Sequence, residues 1–276
     1  VLTGQWGDHG LPPKKSSFAM HAMVARHYLD GGNYPTGSSR RIAETISDLI
    51  EKKEGVLAVN ATVSRIKIEN GCAVGVTMEN GDEIEAETVI SNAGVVNTIE
   101  KLLDDENSDT RIKENLQKIN QTESYVCLHI GLNKSAKDLG LSNTNLWIYP
   151  GYDHDQNVKS YIENQATDFP VVYVSFPSAK DKAWNENHSG YATMEAITFS
   201  TWDWYSNWKG FPWKKRGQEY EEAKQKLSNR ILDIVTKQVP NIQTAVDYKE
   251  LSTPLTIRDL ANYQKGEMYG IDHDSN

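Results

Sequence analysis

Cysteine is nearly missing from this 276-residue chain: Cys72 and Cys127 stand far apart and outside any CxxC pair. That excludes a disulfide scaffold and a thiolate zinc site. Cys127 lies in the apolar run Tyr125-Val126-Cys127-Leu128-His129-Ile130 and reads as a buried thiol, not a nucleophile. No stretch approaches the roughly 18 consecutive apolar residues of a membrane helix, and no signal-peptide pattern opens the chain, so a reducing, cytoplasmic setting is expected. Neither GxGxxG nor GxSxG occurs, so a complete dinucleotide loop and a nucleophile elbow are both missing. Positive charge is also short: 29 Lys and Arg against 38 Asp and Glu give a net charge of -9. A general nucleic-acid binder needs the opposite balance, although a local basic patch stays possible. His9, His21 and His27 fall close together without a ligand spacing, and no metal is expected there. Asp153-His154-Asp155 and Asp272-His273-Asp274 look metal-like on paper, but both sit in polar loops where such triplets are usually solvated. There is no internal repeat and no low-complexity tract.

What is present suits a soluble globular protein of one large domain or two, with 38% hydrophobic and 24% charged residues. A loop rich in Gly and Pro leads to a helix from Ser16 or Ser17 to about Tyr28. Arg40 to Lys53 reads as an amphipathic helix with Ile42, Ile46, Leu49 and Ile50 on one stripe. The period then changes to two. Strands are predicted over Val56 to Val59, Ala61 to Glu69, Ala73 to Glu79 and Glu83 to Ala86, with Asn70-Gly71 as a hairpin turn. Val89-Ile90 reads as a short buried strand running into Ser91-Asn92-Ala93-Gly94, and Val95 to Leu103 as a helix. A polar helix over Ser108 to Ile119 precedes strands at Ser124 to Leu132, Leu146 to Tyr149, Val171 to Phe176 and Tyr191 to Phe199. This half predicts an antiparallel sheet with one covered face. A long helix follows from Arg216 to Gln238, then a last strand from Val246 to Leu251 and a short helix to Tyr263. The predicted fold class is α/β plus α+β, an α/β domain with an inserted β-meander beside an antiparallel sheet with flanking helices.

Two stretches invite a functional reading. Gly31 to Ile46 ends one helix, passes Tyr34-Pro35-Thr36-Gly37-Ser38-Ser39 and starts the next. Glycine permits close backbone approach, and the bare amides of a helix start attract electron-rich groups, but a plain helix-turn-helix elbow accounts for the same residues. Trp202-Asp203-Trp204-Tyr205-Ser206-Asn207-Trp208-Lys209-Gly210-Phe211-Pro212-Trp213 holds four of the seven tryptophans. It could wall an apolar tunnel, stack on sugars, touch a membrane surface, or simply pack a loop-helix on the sheet. No catalytic acid, base or nucleophile is assignable from residue types alone.

An ordered set of blocks carries a resemblance: Gly4-Gln5-Trp6-Gly7-Asp8 with Leu11-Pro12-Pro13, Ser17-Phe18-Ala19-Met20-His21, and Gly31-Gly32-Asn33-Tyr34-Pro35-Thr36-Gly37. It continues through Asn60 to Ile66, Ala73-Val74-Gly75-Val76, Val89 to Gly94, Thr253-Pro254-Leu255-Thr256 and Gly266-Glu267-Met268-Tyr269-Gly270. In this order the blocks resemble flavoproteins of the phytoene desaturase, carotenoid isomerase and retinol saturase group, bacterial retinol saturase-like members above all. The resemblance implies FAD in a Rossmann-like domain interleaved with a substrate domain built on an antiparallel sheet. It implies junction residues 1–30, a partial FAD-binding domain at 31–103, a substrate domain at 104–252 and a return toward the FAD domain at 253–276.

The resemblance further implies that Val63 meets the adenine end through its backbone and that Ser91, Asn92, Ala93 and Gly94 form a turn near the dinucleotide. Tyr34, Pro35, Gly37 and Ser38 would lie near the flavin. Gly37-Ser38 stands where relatives often carry Gly-Gly. The opening GxGxxG segment and the closing Gly-rich segment of the family are not in this sequence, so an internal piece of a longer enzyme is expected, one that holds FAD weakly or not at all alone. The implied activity is desaturation, saturation or isomerisation of a polyene, isoprenoid or other long apolar substrate, with Trp202, Trp204, Trp208 and Trp213 as a tunnel wall or a lip touching a membrane. An amine-oxidase-type flavoprotein and a non-catalytic Trp-rich ligand-binding module are the alternatives.

Overall fold

Strand β4 (Ser124–Leu132) alternates two chemistries, and that alternation organises most of the molecule. Val126, Leu128, Ile130 and Leu132 are buried on one face, while Cys127, His129 and Gly131 on the other are only partly covered. In the computed structural model, residues 2–104, 106 and 110–272 are described. They fall into two compact units, Val1–Ala43 with Gln121–Asn276, and Glu44–Asn120.

In the first unit β4 is flanked by β7 (Ala192–Ser200) and β8 (Val246–Ser252), and the sheet extends through β6 (Val172–Ser175) to β5 (Leu146–Ile148). The order is β5-β6-β7-β4-β8, with every neighbouring pair antiparallel. The covered face packs Val172, Val174, Met194, Ala196, Leu128 and Leu251 into one core with Ile231 and Val235 of the long helix Gln218–Gln238. Each such side chain contributes roughly 1.5–3 kcal/mol on leaving water, so this face fixes the register of all five strands. A helix at Pro254–Ala261 follows β8 and opens with a capping box formed by Thr253 and Thr256.

The second unit is built on a meander, β1 (Val63–Glu69), β2 (Cys72–Met78) and β3 (Glu83–Glu85), again antiparallel throughout. Asn70 and Gly71 both take positive φ, 51° and 77°, the conformation that a two-residue hairpin turn demands. Lys67 on β1 pairs with Glu83 on β3 at 2.6 Å across the meander. A short helical turn at Val95–Asn97 runs into a π turn at Thr98–Leu102, and a helix covers Thr110–Lys118. The start of that helix expected at Ser108 lies outside the described residues.

Two expected strands are absent. Residues 56–59 and 89–90 pair with nothing among the described residues, and Val56 and Ile90 are open to water at 89% and 90% exposure. A ladder needs a partner, and an apolar run without one stays a strand in pattern only. The helix Arg40–Lys52 does form, yet Ile42, Ile46 and Leu49 on its apolar stripe remain more than half exposed. Among the described residues no parallel strand pair occurs.

Candidate functional site

The partly covered face of the five-stranded sheet gathers side chains that are far apart in sequence. Register places Trp147, Tyr173, Ile197, Cys127 and Ser252 in one row across all five strands. At about 4.8 Å per strand this row spans roughly 19 Å, long enough for an extended isoprenoid chain. The next row holds Ser175, Glu195 and His129. The face is therefore aromatic and aliphatic toward β5 and β6, and polar toward β4 and β8.

Over the apolar part lies a cavity of about 190 Å³ lined by Gly7, Asp8, Tyr125, Trp147, Tyr173, Ile197, Met268 and Tyr269 among others. The segment Trp6–Asp8 forms a 3-10 turn that brings Gly7 against the Trp147 ring, where an added Cβ would meet ring carbon Cζ3 at 2.6 Å. The Gly266 to Gly270 block closes another side. Ser124 Oγ donates to the Lys265 carbonyl at 2.7 Å, the Thr122 amide donates to the Gly270 carbonyl at 2.9 Å, and the Tyr269 hydroxyl donates to the Gly7 carbonyl at 3.2 Å. Tyr125 is 3% exposed, and its hydroxyl has no hydrogen-bond partner among the described residues. A buried unpartnered hydroxyl is costly to leave unsatisfied. Burial pushes the Asp8 carboxyl above its ordinary range, against the opposing pull of the Tyr28 hydroxyl.

The polar end is a connected network. His129 Nδ1 lies 3.4 Å from the Glu195 carboxylate and 3.9 Å from the Cys127 sulfur, while Nε2 lies 3.2 Å from Ser252 Oγ. Hydrogen bonding to Cys127 and then to Glu195 pushes His129 up to about 10, with burial opposing, and the same His129 contact holds Glu195 below its usual value. Lys180 donates to Ser175 Oγ at 2.8 Å and to Asn145 Oδ1, and Asn145 in turn donates to the Tyr173 hydroxyl at 2.7 Å. Burial lowers Lys180, with Glu195 partly restoring its charge.

The Tyr34 elbow docks beside this network. The Gly37 amide donates to Asp181 Oδ1 at 2.9 Å, and Lys180 Nζ sits 5.9 Å from the Tyr34 ring centroid. Gly37 and Ser38 both take positive φ, 88° and 71°, so the chain turns sharply there. Tyr34 and Pro35 are half-buried. Val63, half-buried, starts β1 in the second unit, and Ser91, Asn92, Ala93 and Gly94 form an exposed turn there, with Ser91 Oγ 2.7 Å from Thr98 Oγ1. The Gly37 amide is thus engaged within its own unit, and GxGxxG does not occur in the sequence.

The tryptophans of the 202–213 stretch lie elsewhere. Trp204 and Trp208 line a cavity of about 650 Å³ against the long helix Gln218–Gln238, on the covered side of the sheet with Leu251. Trp202 is stacked under Arg258, and Trp213 is 45% exposed beneath Lys214. Among the described residues no cluster of three or more His, Cys, Asp or Glu side chains could hold a metal ion. Asp153 instead caps the helix His154–Glu163 by accepting from the Gln156 amide, while His273 and Asp274 of the second triplet lie outside the described residues. Among the described residues no helix is long and apolar enough to cross a membrane.

The fold is shared with a solved structure, an oxidoreductase from Methanosarcina mazei, which superposes with a TM-score of 0.53 over 80% of this chain and 43% of that one, at 15% identity. No family model matches the sequence. Among characterised proteins, the chain is 34% identical over 282 residues to the all-trans-retinol 13,14-reductase of Danio rerio, covering 99% of this chain and 46% of that protein. It is 28% identical over 251 residues to the chloroplastic prolycopene isomerase of Arabidopsis thaliana, covering 90% of this chain and 38% of the relative. The chain belongs to the retinol saturase and carotenoid isomerase-like family, and it spans about half the length of the relatives it matches.

Proposed function

We propose that this chain is the substrate-handling portion of an FAD-dependent oxidoreductase that saturates, desaturates or isomerises a polyene. The observation that carries the reading is the half-covered sheet face, an apolar row from Trp147 and Tyr173 through Ile197 that ends at Cys127 and Ser252, beside the His129 and Glu195 pair of the next row. The named reactions of the relatives, reduction of retinol and isomerisation of prolycopene, both act on conjugated chains, which supports the same substrate class. A conjugated chain laid along the row would be held by stacking on Trp147 and Tyr173 and screened from water by Met268 and Tyr269. The unpartnered Tyr125 hydroxyl would accept or donate to a polar terminus.

FAD, when bound by the whole protein, supplies the hydride chemistry. We assign Val63 and Ser91 to Gly94 to its adenine side and Tyr34, Pro35, Gly37 and Ser38 to the flavin side, with 31–103 and 253–276 contributing to a Rossmann-like domain and 104–252 to the substrate domain. Contact with a membrane surface would give an apolar substrate its entry route. The test is direct. The full-length protein, purified with FAD, is incubated anaerobically with all-trans-retinol and with a poly-cis carotenoid, and the products are weighed. A gain of two hydrogens marks saturation, a loss marks desaturation, and an unchanged mass with a shifted absorption spectrum marks isomerisation. Failure to retain flavin, or turnover of amines in place of polyenes, overturns the reading.

A further inference from the structure

The cavity beneath Trp204 and Trp208 belongs to none of the machinery above. It opens on the covered side of the sheet and has about 650 Å³ of space, within the range of small-molecule sites. Its walls are aromatic and aliphatic: Trp204 meets Tyr161 edge-on at 5.1 Å, Trp208 meets Tyr220 at 5.5 Å, and Leu227 and Leu251 complete the lining. Three cations of the long helix, Lys224, Lys226 and Arg230, line the same space, and no Asp or Glu does.

Their charges are not equally spent. Lys224 is paired with Glu250 and with Glu221. Arg230 donates to two neutral carbonyls, Gln165 at 2.6 Å and Thr167 at 2.8 Å, and rests on the Phe169 ring. Among the described residues Lys226 forms no ion pair. Lys226 and Arg230 are one helical turn apart, so two like charges repel at this spot in a chain whose net charge is -9. An aromatic chamber with uncompensated positive charge at its wall is complementary to a molecule with an apolar tail and an anionic head.

We propose that this cavity is a second ligand site that takes a single-chain carboxylate amphiphile, its tail between Trp204, Trp208 and Leu227 and its carboxylate at Lys226 and Arg230. The proposal does not rest on the redox reading: the site needs no flavin, and the cavity is separated from the aromatic row by the sheet itself.

The experiment titrates decanoate, below its micelle concentration, into the protein while following tryptophan emission and heat. Parallel arms use 1-decanol, decyltrimethylammonium and anionic phosphatidylglycerol vesicles. Decanoate is expected to saturate one site and quench emission, decanol to bind about tenfold more weakly for lack of a charge-assisted contact, and decyltrimethylammonium not to bind. The exposed Lys226→Glu change, which breaks no hydrogen bond or ion pair among the described residues, should weaken decanoate about tenfold with the unfolding temperature unchanged; Trp204→Phe with Trp208→Phe should abolish the quench. Equal binding of decanoate and decanol, indifference to Lys226→Glu in a folded protein, or binding of vesicles without monomeric decanoate would each overturn the proposal.

Discussion

Glu195 on β7 lies directly opposite His129 on β4, with its carboxylate 3.4 Å from the imidazole Nδ1. The pair sits on the sheet face that is left open, so its charge state sets the electrostatics of the polar end of the site. His129 titrates near 10, above its ordinary 6.5, so its contribution to stability is complete below about pH 6.5 and disappears as pH climbs toward 10. Glu195 is held below its ordinary 4.5, so its contribution is complete above about pH 4.5 and disappears as pH falls through the lowered value. The shared stabilisation is thus greatest between about pH 4.5 and 6.5. Because the side chains are 43% and 41% exposed, solvent screening limits its size, and Glu195→Gln should cost about 0.5–1 kcal/mol at pH 6. The sharper readout is the His129 ring resonance: its midpoint should drop by about a unit or more in Glu195→Gln. An unmoved midpoint would show that Cys127 alone sustains the imidazolium.

Tyr125→Phe should have opposite effects on stability and on binding. The hydroxyl is buried without a partner, so removing it relieves a desolvation penalty, and the free protein should gain up to about 1 kcal/mol in denaturant unfolding. If a substrate terminus meets this hydroxyl, the same change weakens that ligand about fivefold to tenfold while leaving a hydrocarbon polyene unaffected. A loss of stability would mean that the hydroxyl has a partner in solution.

The two glycine positions at the edges of the site separate steric from conformational need. Gly266 has φ of 62°, and a Cβ there would stand 2.3 Å from the Pro254 carbonyl oxygen and 2.6 Å from its Cα. Gly37 has φ of 88° with nothing within 4 Å. Gly266→Ala forces backbone apart as well as imposing a left-handed alanine, so it should cost more than about 3 kcal/mol and loosen the Tyr269 wall of the cavity. Gly37→Ala carries only the conformational term, about 1–2 kcal/mol. Thermal unfolding of the two variants ranks them, and equal losses would contradict the contact geometry.

Much of this arrangement was legible in the residues. The alternation from Ser124 to Leu132 marked β4 to its ends, and Asn70-Gly71 marked the tight turn of the meander, because period two and a positive-φ pair are local properties. Val56 to Val59 and Val89-Ile90 misled for the complementary reason. Their apolar runs encode a buried strand, but a strand exists only with a neighbour, and none of the described residues pairs with them. The polar cluster was invisible in one dimension: Ser175, Glu195, His129 and Ser252 come from four strands and two adjacent rows and meet only through register. The available signal was a charged or polar side chain at the open-face positions of otherwise apolar strands, His129 in β4 and Glu195 in β7. The tryptophan-rich stretch left a tunnel wall, sugar stacking, membrane contact and plain packing open, and its 3-10 turn at Trp202–Trp208 brings Trp204 and Trp208 to a cavity on the covered side of the sheet.

The chain alone should not hold FAD tightly. A dinucleotide is gripped mainly through its pyrophosphate, by backbone amides of a Gly-rich loop opening onto a helix, and this sequence has no GxGxxG. Of the residues assigned to the flavin side, Gly37 has already committed its amide to Asp181 at 2.9 Å. The other residues proposed to meet FAD, Tyr34 and the Ser91 to Gly94 turn with its open Gly94, would add only peripheral contacts, and without the phosphate grip these are expected to give a Kd no tighter than about 10⁻⁴ M. Titrating FAD into the isolated chain while following flavin fluorescence measures this, and the full-length protein is the comparison, expected to purify yellow. A stoichiometric yellow complex of the chain alone would mean that these edge residues suffice, and that the pyrophosphate is held by amides outside the family's Gly-rich loop.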